Sequence, residues 1–285
     1  MPRRSFTGAT VLVTGAGGGL GRAIALRFAA AGARIAALDR DAAGVESLRA
    51  ELRSLGSECI ALPCDVADPA ACDRAITAAV LNLGRLDVLV NNAGISHRSG
   101  FAATELSVIR RVMDVNFFGA VNCTKAALPH LLRRRGLIVA ISSVAGYTPL
   151  IARTGYAASK HAMHGFFESL RSELAPQGVD VMMVCPSFIA TRIDRNAVGG
   201  DGLPVRHAQV TIGDPLSPES VAARIYEGAA RSRRLLLIGR TAWQAWWVSR
   251  LAPRLYEKLM AHRLSAELES DAATHRTDPD RKPRP

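Results

Sequence analysis

What the chain lacks narrows it first. Of 36 basic residues only four are lysines, Lys125, Lys160, Lys258 and Lys282. No run of apolar residues approaches the ~18 that a membrane-spanning helix needs, so no spanning segment is expected. The five cysteines, at 59, 64, 72, 123 and 185, contain no CxxC pair and no ligand-like spacing to histidine. Free, mostly buried thiols in a reducing compartment are expected instead of a disulfide framework. His161 and His164 stand one helical turn apart, but no third ligand accompanies them at a sensible spacing, and no metal is expected. The first residues, MPRRSFTGATVLVTG, carry an apolar run too short for a signal peptide and read as the lead into a first strand. A soluble, cytoplasmic protein, or at most one attached peripherally to a membrane surface, is expected. A helix-turn-helix, a zinc finger and an RNP-like stretch are also missing. The formal charge of +11 is therefore not expected to mean nucleic-acid binding. That charge is concentrated: residues 231–263 hold eight Arg or Lys against one acid, Glu257.

What is present is a core. A hydrophobic content of 48% over 285 residues suits one large α/β domain. Near-continuous apolar runs at 9–15, 33–39, 59–65, 86–94, 136–143 and 179–186 read as strands covered on both faces. Between them lie segments such as GRAIALRFAAAG, with apolar residues at i, i+3 and i+4 and a closing glycine. Strand and helix in alternation predict a doubly wound, Rossmann-like parallel sheet in three layers. The expected organisation is a domain over 1–240, an amphipathic extension over 241–264, and a polar, disordered tail over 265–285. The glycine- and proline-rich 192–218 segment is expected to be a mobile loop.

In such sheets ligands gather at the carboxyl ends of the strands, and the informative residues fall there. The loop TGAGGGLGR (14–22) places Gly15, Gly19 and Gly21 between the first strand and first helix. Their GxxxGxG spacing differs from GxGxxG, yet it lets the backbone turn tightly and approach a pyrophosphate at a helix N-terminus. Asp39 ends the second strand, where a carboxylate can accept from both adenosine ribose hydroxyls. A 2′-phosphate would meet like charge there, so NAD is expected ahead of NADP, with Arg40 next door softening the preference. Asp65 and Val66 end the third strand near an adenine edge. Asn91, Asn92, Ala93 and Gly94 offer amides and a bulk-free backbone beside a ribose. In TGYAASK, Tyr156 and Lys160 are four residues apart, so on a helix they share one face. An ammonium beside a phenol favours the phenolate, which otherwise forms only near pH ~10, and so suits Tyr156 to proton transfer.

Taken in order, Thr14-Gly15-x-x-x-Gly19-x-Gly21, Asp39, Asp65, Asn91-Asn92-Ala93-Gly94, Asn116, Ser143, Tyr156-x-x-x-Lys160 and Pro186 with Thr191 resemble the short-chain dehydrogenase/reductase family in its single-domain form. The match spans positions 14–191. The resemblance implies an oxidoreductase that moves hydride between a nicotinamide and a secondary alcohol or ketone, without a metal. Tyr156 is implied to exchange the proton at the substrate oxygen. Lys160 is implied to hold the nicotinamide ribose and lower the Tyr156 pKa, and Ser143 to hydrogen-bond the substrate oxygen. Ser143 is preferred to Ser142 because it lies 13 residues before Tyr156, the family's interval. Asn116 is implied to kink its helix and hold a water linking Lys160 to solvent. Gly17, Gly18 and Leu20 in the glycine loop, and Pro186, Ile189 and Thr191 after the sixth strand, join the implied cofactor contacts. One departure is Ser187, where the family usually has glycine; it puts the backbone's approach to the nicotinamide in doubt. The family pairs through the helices after Asn92 and at Tyr156, implying a homodimer or homotetramer. Two rivals stay in view: an NADPH-dependent carbonyl reductase that holds a 2′-phosphate with Arg40 and Arg22, and a non-catalytic nucleotide-sensing or membrane-associated scaffold.

The extension holds all three tryptophans. Trp243, Trp247, Leu251, Leu255 and Leu259 recur every fourth position among arginines, with Pro253 dividing two short helices. Such a stripe can pack on the protein's own substrate mouth, on a partner subunit, or on a membrane surface. In each case it suits a hydrophobic alcohol or ketone. Residues around His97 to Phe101 and the 192–218 loop are expected to line the pocket.

Overall fold

The structure, a computed structural model, describes residues 3–191, 197–205 and 213–276. Seven strands form one parallel sheet: β1 (Thr10–Thr14), β2 (Arg34–Asp39), β3 (Cys59–Pro63), β4 (Val88–Asn91), β5 (Leu137–Ile141), β6 (Asp180–Pro186) and β7 (Leu235–Ile238). Their spatial order is β3-β2-β1-β4-β5-β6-β7. The chain order reverses between β1 and β4, which leaves a crevice above their carboxyl ends.

Side chains alternate between the two faces of each strand, and two cores result. On one face Val11, Val13, Ile35, Val88, Val90 and Val184 pack against α1 (Gly19–Ala29), α2 (Ala42–Ser54) and α7 (Pro218–Ala230). On the other, Leu12, Leu38, Leu89, Ile138 and Met183 meet α3 (Pro69–Leu83), α5 (Gly119–Arg134) and α6 (Thr154–Leu174). Sheets buried on both sides need apolar residues at successive positions, and the expected three layers follow.

Three features differ from the sequence reading. β7 was not anticipated: its LLLI run is only four residues long, too short to separate from a helix edge by periodicity. Between α4 (Leu106–Met113) and α5 the helix widens into a π-turn over Asp114–Phe118. After β7 come α8 (Arg240–Leu251) and α9 (Pro253–Arg276). Pro253 does start a new helix, as its missing N–H allows at a first turn. That helix is long, however, and continues to Arg276 instead of yielding to a disordered tail at 265. In the 192–218 segment, Val198 bridges both His97 and Pro204, and Leu216 bridges Ile189; residues 192–196 and 206–212 lie outside the described residues, as do 277–285.

Candidate active site

A cleft of about 1200 Å³ opens at the β1/β4 switch point. That is room for a dinucleotide with a substrate beside it. Its floor is the glycine loop. Gly15 has φ +68° and Gly19 φ +52°, left-handed conformations that glycine adopts without strain. A Cβ on Gly21 would stand 2.0 Å from the Gly15 carbonyl oxygen, so only glycine lets α1 begin this close to β1. A Cβ on Gly18 would meet nothing within 4 Å. The cap of α1 receives no side-chain hydrogen bond and its first turn holds no acid. The uncapped N–H groups and positive helix end thus face the cleft beside Gly17, Gly18 and Leu20, a cradle fitted to a pyrophosphate.

Asp39 braces this cradle. Its Oδ2 accepts from the Gly17 N–H at 2.9 Å and its Oδ1 from the Asp41 N–H at 2.9 Å. Arg40 lies beside it on the cleft wall, whereas Arg22 is ion-paired with Glu51. The NNAG stretch turns out to be partly a strut. Asn91 is buried and donates to the Thr124 hydroxyl at 2.9 Å. Asn92 Nδ2 donates to the Thr14 carbonyl at 2.9 Å, and the Asn92 and Ala93 N–H groups both donate to the Thr14 hydroxyl. These bonds tie the ends of β1 and β4 together. Asp65, Val66, Ala93 and Gly94 line the cleft above them.

Beyond the cradle, α6 brings up Tyr156 and Lys160. Both line the cleft, and Lys160 Nζ lies 5.8 Å from the centre of the Tyr156 ring. Lys160 is buried, and its Nζ donates to the Ile141 carbonyl at 2.9 Å. Burial lowers its pKa from an ordinary 10.5 to about 8, because the ammonium loses its hydration. Ser143 sits half-buried on the cleft wall, its hydroxyl accepting from the Ala145 N–H at 3.2 Å. The Ser142 hydroxyl instead donates to the Lys160 carbonyl at 3.5 Å.

Asn116 does not line the cleft. It is fully buried one layer behind, in the π-turn. Its Nδ2 donates to the Ile95 carbonyl and the Ser159 hydroxyl, each at 3.0 Å, and its Oδ1 accepts from the Ile95 N–H at 2.8 Å. The resemblance implies a kink here; the structure shows a widened π-turn, held by these bonds.

Pro186, Ser187, Ile189 and Thr191 close the far wall. A Cβ on Gly239 would lie 2.4 Å from Ser187 Oγ. The serine's bulk thus occupies the space vacated by Gly239.

The pocket at the substrate end meets expectation in part, since Val198, Gly202, Pro204 and Gly213 of the 192–218 segment line it. Ile95 and Ser96 line it, but His97, Arg98 and Ser99 are buried behind it and Phe101 is 63% exposed on the surface. Not foreseen were Arg111 and Arg153, which line the cleft; Arg153 donates to the Ser96 hydroxyl at 3.3 Å. Among 32 arginines in the sequence, nothing local marks these two. Gln244, Ala245 and Val248 of α8 and Tyr256, Leu259, Met260 and Arg263 of α9 complete the rim. The extension's inner face therefore packs over the substrate mouth.

A family model described as short chain dehydrogenase matches residues 9–200. The chain belongs to the short-chain dehydrogenase/reductase family. Among its relatives, bovine dehydrogenase/reductase SDR family member 7B is 39% identical over 270 residues, covering 92% of this chain and 83% of the bovine one. The 7-like protein of Anopheles gambiae is 36% identical, covering 91% and 84%. Among solved structures, a family member from Burkholderia phymatum in complex with NAD superposes with a TM-score of 0.79 at 26% identity, covering 88% of this chain and 96% of that one. A short chain dehydrogenase from Burkholderia cenocepacia in complex with NADP gives 0.73 at 30% identity, covering 84% and 99%. This short-chain dehydrogenase/reductase chain shares the family's Rossmann-like sheet, and its cleft occupies the crevice at that sheet's switch point.

Proposed function

We propose that the protein is an NAD-dependent oxidoreductase of secondary alcohols or ketones, with Tyr156 as general acid and base. The observation that carries this reading is the meeting of Tyr156, Lys160 and Ser143 on one wall of a cleft whose floor is a glycine cradle. Gly15 to Gly21, Asp39, Asp65, Val66, Asn92 to Gly94, and Pro186, Ile189 and Thr191 would hold the dinucleotide. A nicotinamide held there would supply or accept the hydride. Ser143 and Tyr156 hydrogen-bond the substrate oxygen, and Tyr156 gives or takes the proton at that oxygen. Lys160 favours the Tyr156 phenolate by its charge. Asn116 fixes Ile95 and Ser159 behind this pair. Preorganised dipoles of this kind supply most of a protein's share in hydride transfer.

Asp39 supports NAD: its carboxylate lies on the cleft wall, where a 2′-phosphate beside it would meet like charge, and Arg22 is engaged by Glu51. One observation favours the NADPH alternative, the position of Arg40 on the cleft wall. Apolar rim residues, Leu150, Val248, Leu259 and Met260, suit a hydrophobic substrate. A homodimer through α5 and α6 is part of the same reading, since Phe118 is half-exposed there beside Phe117 and Phe166.

The test is Tyr156→Phe, assayed with a panel of secondary alcohols and titrated with both reduced cofactors by fluorescence. Turnover should fall by about 10³-fold or more, with NADH still bound, and bound more tightly than NADPH. Undiminished turnover would refute the role of Tyr156; tighter NADPH would transfer the preference to Arg40.

A further inference from the structure

The outer face of the α8–α9 pair has no task in the reading above, since only the inner face closes the cleft. Trp243 and Trp247 are 53% and 54% exposed, Leu251 78%, Leu255 53% and Leu259 41%. Soluble surfaces seldom carry five large apolar side chains in a row. Helical spacing puts Arg240 three residues before Trp243, on the same arc of α8, whereas the Arg250 guanidinium stacks over the half-buried Trp246 ring, 3.3 Å from its centroid. On α9, Lys258 lies three residues after Leu255. Over residues 240–263 the exposed cations Arg240, Arg254, Lys258 and Arg263 stand against a single acid, Glu257.

We infer that this face docks the protein on an anionic lipid bilayer. Tryptophan and leucine beside arginine and lysine match the two layers of such a surface, acyl boundary and headgroup phosphate. A second copy is a poor occupant, because a two-fold contact would bring together two copies of this cationic face, each with Glu257 alone over 240–263 to offset it. Leu259 and Arg263 belong both to this face and to the cleft rim. Docking therefore turns the substrate mouth toward the lipid, so that an apolar substrate can enter from the bilayer. Membrane docking is independent of the hydride-transfer reading, and its test contains no substrate.

The full chain is mixed with vesicles of phosphatidylcholine alone, or with added phosphatidylglycerol, and followed by flotation and by tryptophan emission. Flotation with the anionic vesicles and a blue shift in emission are expected, both lost in Trp243→Ser/Trp247→Ser. Arg240→Glu and Lys258→Glu should each weaken binding by at least about fivefold, the effect of roughly 1 kcal/mol per cation near a charged surface. Leu81→Ser, an equally exposed site on α3, should bind as the parent does. Circular dichroism establishes that each variant is folded. Failure to float, or flotation unchanged in the double tryptophan variant, would overturn the proposal. A drop in sedimenting mass of that variant without vesicles would assign the face to a second copy and overturn it as well.

Discussion

The Lys160 ammonium donates to the Ile141 carbonyl at 2.9 Å and to the Met163 sulfur at 3.6 Å, and burial costs it hydration. Its folded-state pKa, about 8, lies below the ordinary 10.5. The sign of the consequence follows directly. Between those two values the unfolded chain binds the lysine proton and the folded chain does not, so stability rises with pH across that window. Below about 8 both states hold the proton and the folded one bears the full penalty, of order 3 kcal/mol. Urea unfolding of the cofactor-free protein should therefore show a gain between about pH 8 and 10 that Lys160→Met lacks. Equal slopes for the two proteins would refute this placement of the charge. The same strain makes Lys160 responsive to anything in the cleft that hydrogen-bonds its ammonium. Here the residue scale meets function: a buried cation raises the free energy of the empty site and leaves a donor beside Tyr156.

At the scale of elements, the sharpest fit is between the segment after β6 and the end of β7. The Ser187 N–H donates to the Ile238 carbonyl at 2.9 Å, and Gly239 follows at φ +102°, a region closed to most side chains. Ser187 stands where the family resemblance implies glycine, and Gly239 supplies the missing space. Gly239→Ala should cost about 2–4 kcal/mol, combining backbone strain with a clash against Ser187 Oγ. Adding Ser187→Gly should return about 1 kcal/mol or more, the part due to the clash. Urea denaturation of the four proteins in the cycle measures this, and strict additivity would mean that the two positions are not coupled. The π-turn at Asp114–Phe118 shows the same logic. An asparagine alone says little about helix shape, but bonds to Ile95 and Ser159 from other parts of the chain hold the widened turn.

For the whole molecule the open matter is how its surfaces are used. Among the exposed apolar side chains, two groups lie apart in the chain, Phe118 at the end of the π-turn and the Trp-Leu face of α8–α9. In the proposed homodimer the first is the pairing surface, where aromatic contacts run from Phe118 through Phe117 to Phe166 and Phe167. Phe118→Glu should halve the mass seen by sedimentation velocity, because a two-fold contact would bury two like charges together. An unchanged mass would move the pairing surface elsewhere.

Much of this was legible in the sequence because it depends on local chemistry. Continuous β-branched and aliphatic runs require a sheet covered on both faces, and β1 to β6 follow from that. The glycine loop, Asp39, Tyr156 and Lys160 are readable because turn conformation and i,i+4 spacing are properties of short segments. Tertiary structure alone decided the rest. It set β7, a four-residue strand held by its neighbour β6, and it buried His97 while bringing Arg153 to the cleft. It matched Gly239 to Ser187 across 52 positions and folded α8–α9 over the substrate mouth. These depend on contacts between distant parts of the chain, where packing and burial, not neighbouring residues, set the free energy.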